Sequence, residues 1–180
     1  MAENLGKKFE NVIESAFRKV EVVSIDRIHD QTTGFKSSST NIADFVVYRK
    51  PYEYYIECKS VHGNTLSIYS NPKPDKQGVL HGFYGNITDA QWNGLLEKSK
   101  IDGVHAGIIC WWVDKDVTMY IPIDTLVLYR DYKNKKSIRY DESFDFYVNH
   151  EAFVLKGKKK RVFFDYDMND FLQLLNESET

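Results

Sequence analysis

Residues 41–60 read NIADFVVYRKPYEYYIECKS, and the fold follows from how that stretch is parsed. Residues 42–48 are dense in β-branched and aromatic side chains, Arg49-Lys50-Pro51 supplies a break, and residues 52–59 are strand-like again. That pattern predicts two short strands joined by a turn. Strand side chains alternate faces, so Glu57 and Lys59 point one way while Tyr54, Ile56 and Cys58 point the other. Asp44, on the first strand, joins them if the register sets it opposite. Two carboxylates beside an amine suit a hard cation such as Mg²⁺ or Mn²⁺, which takes oxygen ligands and keeps water positions open. The lysine can orient an attacking water or stabilise charge on a phosphate. Taken alone, Glu-x-Lys is more often an ordinary ion pair on the wet face of a strand.

Outside this stretch, 180 residues suit one α/β domain over 1–180 with a core of ordinary size. No apolar run approaches membrane-spanning length, and no secretory signal pattern opens the chain, so no membrane partner is expected. Cys58 and Cys110 have no zinc-like spacing, which predicts reduced thiols and a cytoplasmic location. The net charge of −2 does not announce a nucleic-acid partner, so the distribution of charge has to carry that reading.

In chain order, Leu5, Phe9, Val12, Ile13, Ala16 and Phe17 recur at helical spacing behind Asn4, a suitable N-cap. Glu10 sits at the edge of that stripe, near enough to approach a site on the sheet, though it equally suits a solvated helix face beside Lys7, Lys8 and Glu14. Residues 20–28 read as a strand. In the following loop, 29–40, Lys36, Ser37, Ser38, Ser39 and Thr40 offer donors to phosphates, or form a solvated linker. Residues 66–69 suggest a short strand. Residues 71–86, with Pro72, Pro74, Gly78, Gly82 and Gly85, predict a long irregular loop.

A helix over 87–100 opens with capping-box spacing between Thr88 and Gln91 and a staple of Ile87 on Trp92, which accounts for Gln91 structurally. Residues 104–113 predict a buried strand paired with 117–121, and a helix over 123–132 follows. His29, His62, His81 and His105 have no partner at metal spacing and are treated as non-ligands. Two basic clusters, one with Lys135, Lys136 and Arg139 and one with Lys158, Lys159 and Lys160, would track phosphates if they shared a face, but are equally typical of solvated turns. The second is expected in a turn between residues 152–155 and 162–164. A short helix over 168–175 closes the chain.

The ordered series GKKFENVIE (6–14), SSSTNIADFVVY (37–48) leading into YIECKS (55–60), DAQWNGL (89–95), DGVHAGIICW (102–111) and LYRDYKNKKSIRYDE (128–142) resembles the PD-(D/E)xK nuclease superfamily. Within it, the chain looks most like the RecU-type Holliday-junction resolvases. The resemblance implies a restriction-endonuclease-like core, a central mixed β-sheet flanked by helices, and a symmetric homodimer that nicks four-way DNA junctions by metal-dependent phosphodiester hydrolysis in recombination and repair. Carried over by position, Asp44, Glu57 and the Cys58 main-chain carbonyl would be Mg²⁺ ligands, and Lys59 would hold the attacking water. Glu10 and Gln91 match the family's acid and glutamine on the flanking helices. Two features differ from the family pattern. Ala43 stands where the superfamily has its proline, and the projection before Asp44 is shortened to about residues 29–40, while 71–86 looks like an insertion. The alternatives are a sequence-specific restriction or repair endonuclease on the same core, or a non-catalytic DNA-binding module.

Overall fold

The computed structural model describes residues 4–28, 41–68, 73–74, 77, 80–81 and 86–177. Helix α1 (Leu5–Phe17) buries Phe9, Ile13, Ala16 and Phe17, and Asn4 caps it by accepting a 3.0 Å hydrogen bond from the Gly6 N–H. Strand β1 (Ser24–Arg27) is shorter than the 20–28 expected. The N–H groups of Lys19 and Val20 bond back to Ala16 and Phe17, and Val22 takes a left-handed φ of 58°, so the chain turns before it extends.

The decisive stretch forms the expected hairpin, β2 (Phe45–Arg49) against β3 (Tyr52–Val61), in antiparallel register. Strand β4 (Thr65–Ser67) follows. Within the expected irregular loop, β5 (Lys73–Pro74) and β6 (Leu80–His81) pair with each other, a departure from the reading of its prolines and glycines. Helix α2 (Asp89–Ser99) carries the complete capping box of Thr88 and Gln91.

Strands β7 (Val104–Trp112) and β8 (Val117–Pro122) and helix α3 (Ile123–Lys133) match their sequence readings closely. Strand β9 (Ser137–Arg139) pairs with β4 and leads into α4 (Tyr140–Val148), a helix that the residue pattern did not announce. The tail differs from the expected hairpin. Strand β10 (Phe153–Val154) joins β8, and β11 (Gly157–Lys159) pairs with β12 (Phe164–Tyr166), so Lys158 and Lys159 lie on a strand and the turn falls at residues 160–163. Helix α5 (Met168–Glu177) ends the described chain.

The molecule is an α/β fold around a six-stranded mixed sheet in the order β1-β2-β3-β7-β8-β10. All neighbours are antiparallel except β3 and β7, the pair bridged by the crossover through α2. One core packs α1 and α5 on one face through Phe9, Ile13, Phe17, Phe171 and Leu172. The other packs α2 and α3 on the opposite face through Trp92, Leu95, Ile123 and Leu126. Strand alternation divides β3 between them, with Tyr54, Ile56 and Cys58 in the first core and Val61 in the second. Both cysteines are free and buried, and among the described residues no helix is long and apolar enough to cross a membrane.

Candidate active site

The register of the central hairpin runs from Arg49 opposite Tyr52 to Phe45 opposite Ile56, and Asp44 is the residue just before β2. Its backbone is held on both sides. The Asp44 N–H donates to the Ile56 carbonyl (3.0 Å), and the Asp44 carbonyl accepts from the Ile28 N–H (2.9 Å). Its Oδ2 accepts from the Cys58 N–H at 2.8 Å. The motif aspartate is thus positioned by its own sheet before any ligand arrives.

Glu57 is 2% exposed. Its Oε1 accepts from Lys59 Nζ at 2.6 Å and from Gln91 Nε2 at 2.5 Å, while Oε2 is buried with no partner among the described residues. A buried charged oxygen without a donor is costly, and the electrostatics register it. Burial pushes the Glu57 carboxyl up to about 8 from its ordinary 4.5; Lys59 opposes that shift, and Asp44 and Glu10 add to it. Burial likewise raises Asp44, against the Cys58 N–H bond and with Glu10 adding. The pocket is therefore short of positive charge.

Gln91 does two jobs. Its Oε1 accepts from the Thr88 N–H (3.0 Å) to complete the helix cap, and its Nε2 reaches Glu57. The capping role readable in sequence is therefore real and does not exhaust the residue. Lys59 Nζ also approaches Gln91 Oε1 at 3.5 Å. Glu10 lies close enough to raise both motif carboxyls, but its own carboxylate is tied to Arg27 and to Lys7 (3.2 Å).

Arg27 was not singled out from sequence. At 13% exposure it bridges sheet and helix, donating to Asn11 (2.8 Å), Glu14 (3.0 Å) and Glu10. The signal was present in three polar residues, 10, 11 and 14, at the spacing of one face of α1. Gly94 is a second missed residue. A Cβ there would stand 2.6 Å from the Ile42 Cβ, so only glycine lets α2 lie close enough to present Gln91 to Glu57. The start of α2 is also pinned, because Asn86 and Ser67 exchange hydrogen bonds of 2.8 and 3.1 Å.

Among the described residues no three His, Cys, Asp or Glu side chains form a metal-holding group. The donor set is two carboxylates, which suits Mg²⁺ because that ion takes one or two carboxylates and retains much of its water. The residues present fit such an ion.

The sequence-derived phosphate contacts lie on several elements. Lys36, Ser37, Ser38, Ser39 and Thr40 lie outside the described residues. Lys135 is paired with Glu142 and Arg139 with Asp141, while Lys136 flanks β9, which packs through Ile138 on the α2 side of the sheet. Lys159 is paired with Asp116 and Lys160 with Asp165, and Lys158 shares their strand, whose partner β12 packs through Tyr166 on the α1 side. Both clusters border the β7–β8 turn, where Lys159 pairs with Asp116 and Lys115 lies over the ring of Tyr140, the residue after Arg139. Neither a scan against protein-family models nor a search of curated proteins gives a match for this chain.

Proposed function

We propose that this chain is a metal-dependent DNA endonuclease with a restriction-endonuclease-like core, acting on four-way junctions as a homodimer. One observation carries the chemistry: Asp44 just before β2, Glu57 and Lys59 on β3 and Gln91 on α2 converge, and the buried Glu57 Oε2 has no donor among the described residues. That arrangement is expensive for an ordinary ion pair and natural for a site built to take a cation. The alternation of α1, three antiparallel strands, a crossover helix and a parallel β7 supports the nuclease-like core.

Asp44, Glu57 and the Cys58 main-chain carbonyl would hold Mg²⁺, which when bound polarises a phosphate oxygen and acidifies a water. The chain's own groups do the rest. The Cys58 N–H fixes the Asp44 carboxylate. Gln91 and Lys59 hold one oxygen of Glu57 and leave the other without a donor among the described residues. Lys59 then serves as the cation that holds the nucleophilic water in line and offsets charge accumulating on the phosphate. Glu10, restrained by Arg27, adds negative potential without competing for the same position.

The junction preference and the dimer come from the resemblance alone, and a linear-duplex endonuclease of the same core is the reading they must beat. Labelled four-way junction, linear duplex and single strand are incubated with Mg²⁺, Mn²⁺ or EDTA. Paired symmetric nicks in the junction, lost in EDTA, support the resolvase. Equal cutting of duplex keeps the site and removes the junction preference, and no cutting of any substrate refutes the enzyme.

A further inference from the structure

On the flank formed by α3 and α4 lies a cleft of about 480 Å³ that shares no residue with the site built on Asp44 and Glu57. Thr125, Leu128, Tyr129, Tyr132 and Lys133 line one wall, and Glu142, Asp145, Phe146 and Asn149 the other, each at the three- and four-residue spacing of a single helix face. Tyr129 and Phe146 meet edge to face at 5.3 Å and make the floor. Leu128 is 71% exposed and Tyr132 84%, large apolar surfaces standing in water beside a ready-made groove.

Charge selects what fits there. Glu142 is tied to Lys135, which leaves Asp145 and Glu151 facing Lys133, and Lys133 lies over the ring of Tyr132 at 5.1 Å. Nucleic acid is disfavoured, since its phosphates would meet Asp145 and Glu151. A second copy is disfavoured by shape, because a two-fold contact sets the same patch against itself and would enclose two facing clefts. An element that fills the groove must project apolar side chains and carry cations along one edge.

We propose that the α3–α4 cleft docks a helical segment of another protein, apolar on one face and lysine- or arginine-rich along one edge. Two helices flanking an apolar floor are a recurring receptor for an amphipathic helix, read by anchors at i, i+3 or i+4, and i+7. The volume suits two or three large anchoring side chains. Tyr132 and Leu128 grip the apolar face, and Asp145 and Glu151 meet the basic edge.

A random dodecapeptide phage library is panned on the immobilised full chain, with the Leu128→Glu/Tyr132→Ala chain as counter-selection. Both positions are exposed, so circular dichroism and melting should match the parent. Clones with apolar residues at helical spacing and flanking Lys or Arg should be enriched. A synthetic peptide from them should bind at least about tenfold more weakly to the double variant and to Asp145→Lys, with affinity falling as salt rises. Enrichment of acidic or purely apolar clones, or no enrichment over the counter-selected chain, overturns the proposal. A dimer in sedimentation velocity that Leu128→Glu dissolves also overturns it, assigning the face to a second copy.

Discussion

Replacing Glu57 with glutamine should make the metal-free protein more stable at alkaline pH while destroying its activity. The glutamine keeps the shape and one oxygen for Lys59 and Gln91 but removes the buried charge. The Glu57 carboxyl is pushed up to about 8, chiefly by burial. A native carboxyl raised above its unfolded value contributes stability that is fully present below the unfolded pKa of 4.5 and is lost as pH rises through about 8. At 1.36 kcal/mol per pH unit, that loss amounts to about 5 kcal/mol, an order-of-magnitude figure. Glu57 is only 2% exposed, so solvent screening does not reduce it much. In a chain of 180 residues each kcal/mol moves the melting temperature by about 2–4 °C. The gap between Glu57→Gln and the parent should therefore open by roughly 10 °C between pH 5 and pH 8.5. Melts in EDTA across that range measure it, and carboxyls common to both proteins cancel in the difference. Added Mg²⁺ should close the gap by stabilising only the parent. Parallel curves, or a variant less stable than its parent at pH 8.5, would refute a buried, cation-seeking carboxylate at this position.

Asp44→Asn and Lys59→Ala should each lower Mg²⁺-dependent DNA cleavage by about 10²–10³-fold or more without unfolding the chain, read by single-turnover assay and circular dichroism. Thr88→Ala and Gln91→Ala should each cost about 1 kcal/mol through the lost helix cap in urea melts, but only Gln91→Ala should also slow cleavage, which separates the two duties of that glutamine. Gly94→Ala, helpful by propensity, should instead destabilise by about 1–3 kcal/mol through the clash with Ile42, and Ile42→Ala should recover much of that loss in the double variant. Titration calorimetry in buffers of different ionisation heat should show Mg²⁺ binding release close to one proton at pH 7 and fewer by pH 9, since the raised Glu57 carboxyl holds its proton below about 8; equal release at both would sink that linkage.

What could be read from sequence and what could not divides along contact range. Glu57 and Lys59 share a face by alternation alone, and the Thr88–Gln91 cap is a four-residue pattern, so both were legible. Asp44 was legible only as a condition, because a one-residue change in the hairpin would have turned it to the other face; its bonds to the Ile56 carbonyl and the Cys58 N–H fix it against β3. Helix α4 escaped because its N-cap is Arg139, and the cap works through Glu142 accepting from the Arg139 N–H at 2.9 Å. Sequence marked both basic clusters equally, since charge density carries no information about which layer a turn is tied to.

The residues that escaped share a physical character. Arg27 has no motif around it, and Gly94 reads as a mild defect in a helix, yet one restrains Glu10 and the other sets the approach of α2 to Ile42. Neither touches the Glu57 oxygen. Both fix the distances at which Glu10 and Gln91 act on it, because α1 and α2 pack on opposite faces of the sheet and both rest on β3. A site assembled across two layers depends on the spacing of those layers. Hence a single methyl group at Gly94, more than one turn of helix from any motif residue except Gln91, is expected to reach the chemistry through packing alone.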